Sequence, residues 1–217
     1  MADIIQLCYI LAMQGRFIVF EGGEKSGKST QINLLHQYLL SKNFDVVLTR
    51  EPGGKNSEIA EKIRALVLDK ENTAIHARTE LLLFLAARAQ HIEEVVKPAL
   101  EAGSIVLCDR FDGSTFAYQG AARNLDLADI KVMNDWAKDH LEPDLVIYLD
   151  ITPEQAETRD RLYKVDRLDA EKKDFHEKVR AGYLSQVKEK NNWHIIPAFE
   201  SIEEVAENIK KIISFII

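Results

Sequence analysis

The sequence predicts an α/β fold, a three-layer sandwich in which a five-stranded parallel sheet lies between two layers of helices. Three observations predict it. Short apolar runs alternate with longer helical patterns along the chain, the order of repeated strand–helix–strand units. The runs are near-continuously apolar rather than alternating, as strands buried on both faces are. No linker, internal repeat or low-complexity tract divides the 217 residues, so residues 16–217 are expected to form a single domain.

Arg16–Glu21 (RFIVFE), built from β-branched and aromatic residues, is the first predicted strand, and the pattern turns helical over Lys28–Leu40. Asp45–Thr49 (DVVLT) is the second strand, followed by helices over Ser57–Leu68 and Ala77–Glu101. Pro98 predicts a kink near the end of the latter, because proline lacks the N–H and clashes with the preceding turn. Ser104–Asp109 (SIVLCD), Asp144–Asp150 (DLVIYLD) and His194–Pro197 (HIIP) complete the strands. Between and after them, helices are predicted over Asp126–His140, Pro153–Tyr163, Ala170–Lys190 and Ile202–Phe215. Residues 1–15 are expected to be a poorly ordered N-terminal extension. Its apolar stretch Ile4–Met13 is interrupted by Gln6, preceded by Asp3 and without a basic flank, which argues against a signal peptide. Met13 offers an alternative start.

Composition narrows the function classes. Apolar residues make up 46% and charged residues 29%, with a mean hydropathy of −0.19, the profile of a soluble globular chain. The net charge of −7 disfavours a nucleic-acid-binding surface, but leaves room for a small anion in a locally positive pocket. No apolar run is long enough to span a bilayer, so no membrane partner is expected. The two cysteines, Cys8 and Cys108, make neither a disulfide framework nor a zinc cage, and a reducing, cytoplasmic setting is expected.

The first strand runs directly into Gly22-Gly23-Glu24-Lys25-Ser26-Gly27-Lys28-Ser29, with Thr30 next and a helix beginning at once. This matches the phosphate-binding loop G-x-x-x-x-G-K-[ST]. Its glycines let successive backbone N–H groups turn inward on one phosphate, and the helix N-terminus adds its positive end. Lys28 then reaches the β- and γ-phosphates, while the Ser29 hydroxyl is placed to ligate Mg²⁺. The fold expectation sharpens to a P-loop NTPase that binds ATP or GTP. The absence of an N-K-x-D guanine-reading sequence disfavours a GTPase, and the small sheet disfavours a motor ATPase, leaving a small phosphotransferase.

FEGGEKSGKSTQ (Phe20–Gln31), which contains the phosphate loop, is followed by TREPGG (Thr49–Gly54), LLLFLAARAQH (Leu81–His91) and DRFDGSTFAYQG (Asp109–Gly120), and the basic stretch RDRLYKVDR (Arg159–Arg167) is lid-like, giving a lid at about residues 158–169. In these blocks and their spacing the sequence resembles the thymidylate kinase family, bacterial type. The likeness covers nearly all of Arg16–Phe215. It implies Mg²⁺-dependent phosphoryl transfer from ATP to dTMP, and a homodimer. It also implies that Phe84 stacks on the thymine ring, that Arg88 meets its O4, and that Thr115 and Gln119 lie near the N3–O4 edge. Tyr118 would close the pocket beneath C2′, and Glu24 would sit near the sugar 3′-hydroxyl and the metal. Arg110 and Arg64 would approach the acceptor phosphate, and Glu51–Pro52 would form a rigid substrate-side loop, often with a cis peptide.

The residues read alone are consistent with this. Asp109 and Arg110 end a strand at the carboxyl edge of the sheet, where open α/β folds bind ligands. A carboxylate there can hold Mg²⁺ through water, and a guanidinium can clamp a phosphate with two parallel hydrogen bonds. Phe84 and Arg88 share a helix face, as do Thr115 and Gln119. Ala198 and Phe199, after the last strand, are expected beside the adenine. The lid segment lacks the glycines common in bacterial lids, and Lys25 puts a basic residue in the phosphate loop. The transition-state cation is therefore contested between Lys25, Arg159 and Arg161, with Arg161 favoured on the resemblance. Two rivals stay open: a deoxynucleoside kinase or other small-acceptor P-loop kinase, and a regulatory module that hydrolyses ATP slowly.

Overall fold

The computed structural model describes residues 15–159 and 166–217. Five strands, β1 (Arg16–Gly22), β2 (Val46–Arg50), β3 (Ile105–Asp109), β4 (Leu145–Asp150) and β5 (Trp193–Pro197), form one sheet in the order β2-β3-β1-β4-β5. Every neighbouring pair is parallel. Side chains along a strand alternate between its faces, and here both faces are covered. Phe17, Val19, Val106, Cys108, Val146 and Tyr148 enter one core, whereas Ile18, Phe20, Leu107, Leu145, Ile147 and Leu149 enter the other. Two buried faces explain why these strands read as continuous apolar runs.

The second core is closed by α1 (Lys28–Ser41) through Ile32, Leu35 and Leu39, and by the C-terminal helix through Val205, Ile209 and Ile213. That helix and those before it run in chain order as α2 (Glu58–Leu68), α3 (Ala77–His91), α4 (Lys97–Glu101), α5 (Asp112–Thr115), α6 (Leu127–Ala137), α7 (Pro153–Glu157), α8 (Lys173–Glu189) and α9 (Ile202–Ile213). The predicted helix Ala77–Glu101 is continuous but not uniform. A π-helical turn at Ile92–Val96 joins α3 to α4, so the distortion lies just N-terminal to Pro98, where the proline leaves a helical carbonyl without its donor. A second π-helical segment, Phe116–Ala122, follows α5 and packs on α8. The helix expected over Pro153–Tyr163 is observed as α7 up to Glu157, its N-terminus closed by a Thr152–Gln155 capping box. Residues 1–14 of the expected extension and Arg161 of the expected lid lie outside the described residues.

Candidate active site

In the order β2-β3-β1-β4-β5 the chain leaves β1 toward one edge of the sheet and later crosses back to the other, so the crevice at the carboxyl ends of β1 and β3 is the switch point. The phosphate loop, Asp109 and Arg110 all lie there. Gly22 adopts φ +154°, and a Cβ on it would meet the Leu149 carbonyl and the Ser26 hydroxyl at 2.8 Å, so only glycine fits. Gly27 caps α1 in the left-handed region at φ +88°. Ser26 Oγ donates to the Gly23 carbonyl at 2.9 Å and braces the turn. Lys28 is buried and its ammonium donates to the Gly22 and Gly23 carbonyls at 3.1 and 3.0 Å. Burial pushes its pKa down to about 8.

Ser29 and Thr30 are exposed in the first turn of α1. Ser29 Oγ lies 3.5 Å from Asp109 Oδ2, and Asp109 Oδ1 is buried with no hydrogen-bond partner among the described residues. A hydroxyl beside a carboxylate with an unused oxygen is the donor set that hard, oxygen-preferring Mg²⁺ takes. Glu24 Oε1 lies 3.8 Å from His176 Nε2 of α8.

Arg110 adopts φ +71°, a left-handed conformation unusual for arginine. Its Nη1 donates to the Gly22 carbonyl at 2.9 Å, to Tyr183 Oη at 3.1 Å and to Ser114 Oγ at 3.4 Å, and its guanidinium is centred 5.3 Å over the Tyr118 ring.

 The ring contact and the three hydrogen bonds hold the guanidinium in one place. Its Nε and Nη2 groups have no acceptor, and the side chain no ion-pair partner, among the described residues. Behind it stands Glu21, fully buried at the end of β1. Its carboxylate accepts from the backbone N–H groups of Phe111 and Ser114 at 2.9 and 3.0 Å, from the Ser114 hydroxyl at 2.7 Å and from Tyr183 Oη at 3.0 Å. Burial pushes the Glu21 pKa up, while these donors and Arg110 oppose the shift.

The expected base-binding residues converge on one face of α3. Glu80, Phe84 and Arg88 recur at four-residue spacing there, so they stack along a single stripe. Phe84 is half-buried against the core. Arg88 is 2% exposed and nearly saturated: Nε donates to Glu51 Oε2 at 2.8 Å, Nη1 to Thr115 Oγ1 at 2.9 Å and Asn134 Oδ1 at 2.6 Å, and Nη2 to the Phe111 carbonyl at 2.9 Å. Of its five N–H groups only one is left over. Glu51 also meets His91 Nδ1 at 3.1 Å, and His91 Nε2 meets Thr49 Oγ1 at 2.7 Å, so the loop before the cis Glu51–Pro52 bond is tied to α3. Arg64 of α2 donates to the Pro52 carbonyl at 2.6 Å. Tyr118 is buried with its ring edge-on to Phe175 and Tyr183, and burial pushes its pKa up to about 12.

Arg159 packs on the far side of the phosphate loop. It donates to the Lys25 and Ala198 carbonyls and lies 5.7 Å over the Phe199 ring, while Lys25 Nζ donates to the Arg159 carbonyl. The structure therefore brings Lys25, Arg159, Ala198 and Phe199 together on one side of the loop, and Phe84, Arg88, Thr115, Tyr118 and Gln119 on the other, with Arg110 between. Sequence reasoning missed Glu21, Tyr183, Asn134, His91 and Glu80. Glu80 alone carried a readable signal, since it lies four residues before Phe84 on the predicted helix.

A sequence model of a family described as thymidylate kinase matches residues 20–209. A thymidylate kinase of Thermosipho africanus is 49% identical over 197 residues, covering 91% of this chain and 96% of that protein. One of Finegoldia magna is 46% identical over 190 residues, covering 87% and 93%. The crystal structure of thymidylate kinase from Ehrlichia chaffeensis superposes with a TM-score of 0.74 at 33% identity, covering 92% of this chain and 98% of that one.

Proposed function

The chain belongs to the thymidylate kinase family, and from that premise we propose how its residues transfer the γ-phosphoryl group of ATP to dTMP, with Mg²⁺ as cofactor, to give dTDP and ADP. An oxygen of the dTMP phosphate forms the new bond to the γ-phosphorus as the bond to the β,γ-bridging oxygen breaks, and ADP leaves with that electron pair. The acceptor is already ionised, so no general base is required, and positioning and charge neutralisation carry the catalysis.

The loop amides of residues 22–29 and Lys28 hold the donor phosphates, with Lys28 exchanging its loop carbonyls for phosphate oxygens. Ser29 and Asp109 would hold Mg²⁺, which when bound neutralises charge on the donor phosphates. Ala198 and Phe199 border the adenine, with Arg159 against the same wall. Arg110, assisted by Arg64, holds the dTMP phosphate. Phe84 stacks on the thymine, Thr115 and Gln119 read its edge, Arg88 and Glu51 fix that reading frame, Tyr118 lies beneath the sugar, and Glu24 lies near its 3′-hydroxyl. Lys25 and Arg159 are engaged with each other, which supports Arg161 as the transition-state cation.

The observation that carries this reading is Arg110. A guanidinium held beside the phosphate loop, with two nitrogens left without acceptors among the described residues, suits a second phosphate better than the hydroxyl of a nucleoside. Two further parts of the reading rest on family chemistry. A homodimer would cover the apolar side chains left exposed on neighbouring helices, Ile59 and Leu66 of α2, Leu82 of α3, and Val132 and Trp136 of α6. A cytoplasmic location fits two nucleotide substrates that cells keep inside, and no helix among the described residues is long and apolar enough to cross a membrane.

An ADP-release assay with dTMP, dUMP, dCMP, dGMP and thymidine as acceptors tests the assignment. Release should depend on acceptor and rank dTMP first. Faster release with thymidine would make the protein a nucleoside kinase, and release indifferent to acceptor would make it a hydrolase.

A further inference from the structure

Glu80 lies at the end of the α3 stripe opposite Arg88 and is fully buried. Three side chains meet on its carboxylate. Gln119 Nε2 donates to Oε1 at 2.8 Å, Arg123 reaches both oxygens at 3.3 and 3.2 Å, and Arg167 pairs with Oε2 at 2.8 Å. Arg123 also pairs with Glu171 at 2.6 Å, and Arg167 Nε donates to the Val67 carbonyl at 3.0 Å, so both arginines are anchored elsewhere. The two arginines and Gln119 hold the Glu80 carboxyl below its usual range against the opposing effect of burial, so it accepts hydrogen bonds only.

That fixes a choice the side chain of Gln119 could otherwise make either way. A glutamine amide presents a donor on one side and an acceptor on the other, and a half-turn exchanges them. Beside an ionised carboxylate only the NH₂ can face Glu80, which leaves Oε1 pointing away, with no hydrogen-bond partner among the described residues. Thr115, one turn earlier, is polarised in the same manner. Its Oγ1 accepts from Arg88 Nη1, so its O–H is left to donate. The slot beside Phe84 thus presents a fixed acceptor next to a fixed donor.

We propose that Glu80 is a positioning residue for base selection: by holding the Gln119 amide in one orientation it makes the slot complementary to a pyrimidine with an N3–H donor beside an O4 acceptor, and mismatched to cytosine, whose N3 accepts and whose N4 donates. This rests on the assignment of the Phe84 slot to the base of dTMP. Glu80 touches no substrate itself; it acts through Gln119. A buried polar mismatch is the kind of difference that gives large discrimination, because the site's groups are left unpaired with the wrong base.

The test is a ratio of kcat/KM values for two acceptors in one preparation, in which the fraction of active enzyme cancels. In Glu80→Gln the dTMP/dCMP ratio should fall by at least ~10-fold, since a neutral amide lets Gln119 present either face. The dTMP/dUMP ratio should stay within about 2-fold, because both bases show the same edge. Gln119→Leu, which leaves Glu80 with both arginines, should lower the dTMP/dCMP ratio as well. A ratio that falls in Gln119→Leu but holds in Glu80→Gln overturns the role of Glu80, and a ratio unchanged in both overturns the whole inference. Equal falls against dCMP and dUMP in Glu80→Gln would mean general loosening and would also overturn it. Should Glu80→Gln fail to fold, the wild-type protein decides by NMR. The Gln119 side-chain amide signal, assigned by its absence from Gln119→Leu, should be protected from solvent exchange before any nucleotide is added, and rapid exchange contradicts the proposal. A wild type that ignores dTMP altogether would instead sink the assignment of the slot.

Discussion

Lys28 shows how one residue answers to both its loop and its ligand. Its ammonium rests on two carbonyls of its own turn, in a buried position that lowers its pKa to about 8. Only the protonated form attracts phosphate. For a base with a depressed pKa, the charged form prevails below that pKa and is lost as pH rises through it. The kcat/KM for ATP, which reports the free enzyme, should therefore fall above about pH 8, whereas kcat should hold to higher pH because bound phosphates stabilise the ammonium. A kcat/KM for ATP that stays flat to pH 9.5 would contradict this. Lys28 was legible in the sequence because the phosphate loop is a contiguous motif with a fixed geometry. Glu21 was not, although it ends the first predicted strand. Its role depends on Phe111, Ser114 and Tyr183, which lie about a hundred positions and more along the chain and become neighbours only through the sheet order.

At the scale of elements, the site is held by side chains that stitch helices together. Arg88 of α3 binds the Glu51 loop after β2, the Phe111 and Thr115 region around α5, and Asn134 of α6, and its charge is compensated by the buried Glu51 carboxylate. Arg88→Ala would leave that carboxylate uncompensated and should lower stability by about 3–5 kcal/mol, read from the urea midpoint. Arg88→Lys should recover little of the loss, because an ammonium cannot supply four donors in a plane. A loss below about 1 kcal/mol in Arg88→Ala would show that the network is not structural. Periodicity placed Phe84 and Arg88 on one face, since helical spacing is local. It could not show that nearly all of Arg88's donors are engaged within the protein, because the acceptors come from three separate segments. The π-helical turn before Pro98 was similarly out of reach: the proline predicts a disturbance, but its form depends on how the following segment packs.

Over the whole molecule, a parallel sheet covered on both faces was legible in the continuous apolar runs, whereas the strand order was not, because the runs do not say which strands become neighbours. Nor do the runs specify which apolar side chains stay exposed on the helices. Trp136 is 82% exposed and Val132 72% on α6, well above what a monomer needs on one short helix. Trp136→Glu should convert a dimer into a monomer in light scattering, with the far-UV spectrum unchanged. A wild type that is monomeric at micromolar concentration, or a dimer indifferent to this substitution, would rule out α6 as the contact.

In the reaction proposed for this protein, the γ-phosphoryl group of ATP ends on dTMP. Incubating the protein with γ-³²P-labelled ATP, Mg²⁺ and dTMP and separating the products measures this directly. The label should appear in dTDP in step with ADP formation, and Arg110→Ala should suppress the transfer. Label released as orthophosphate at the same rate with and without dTMP, or label absent from dTDP, would contradict it.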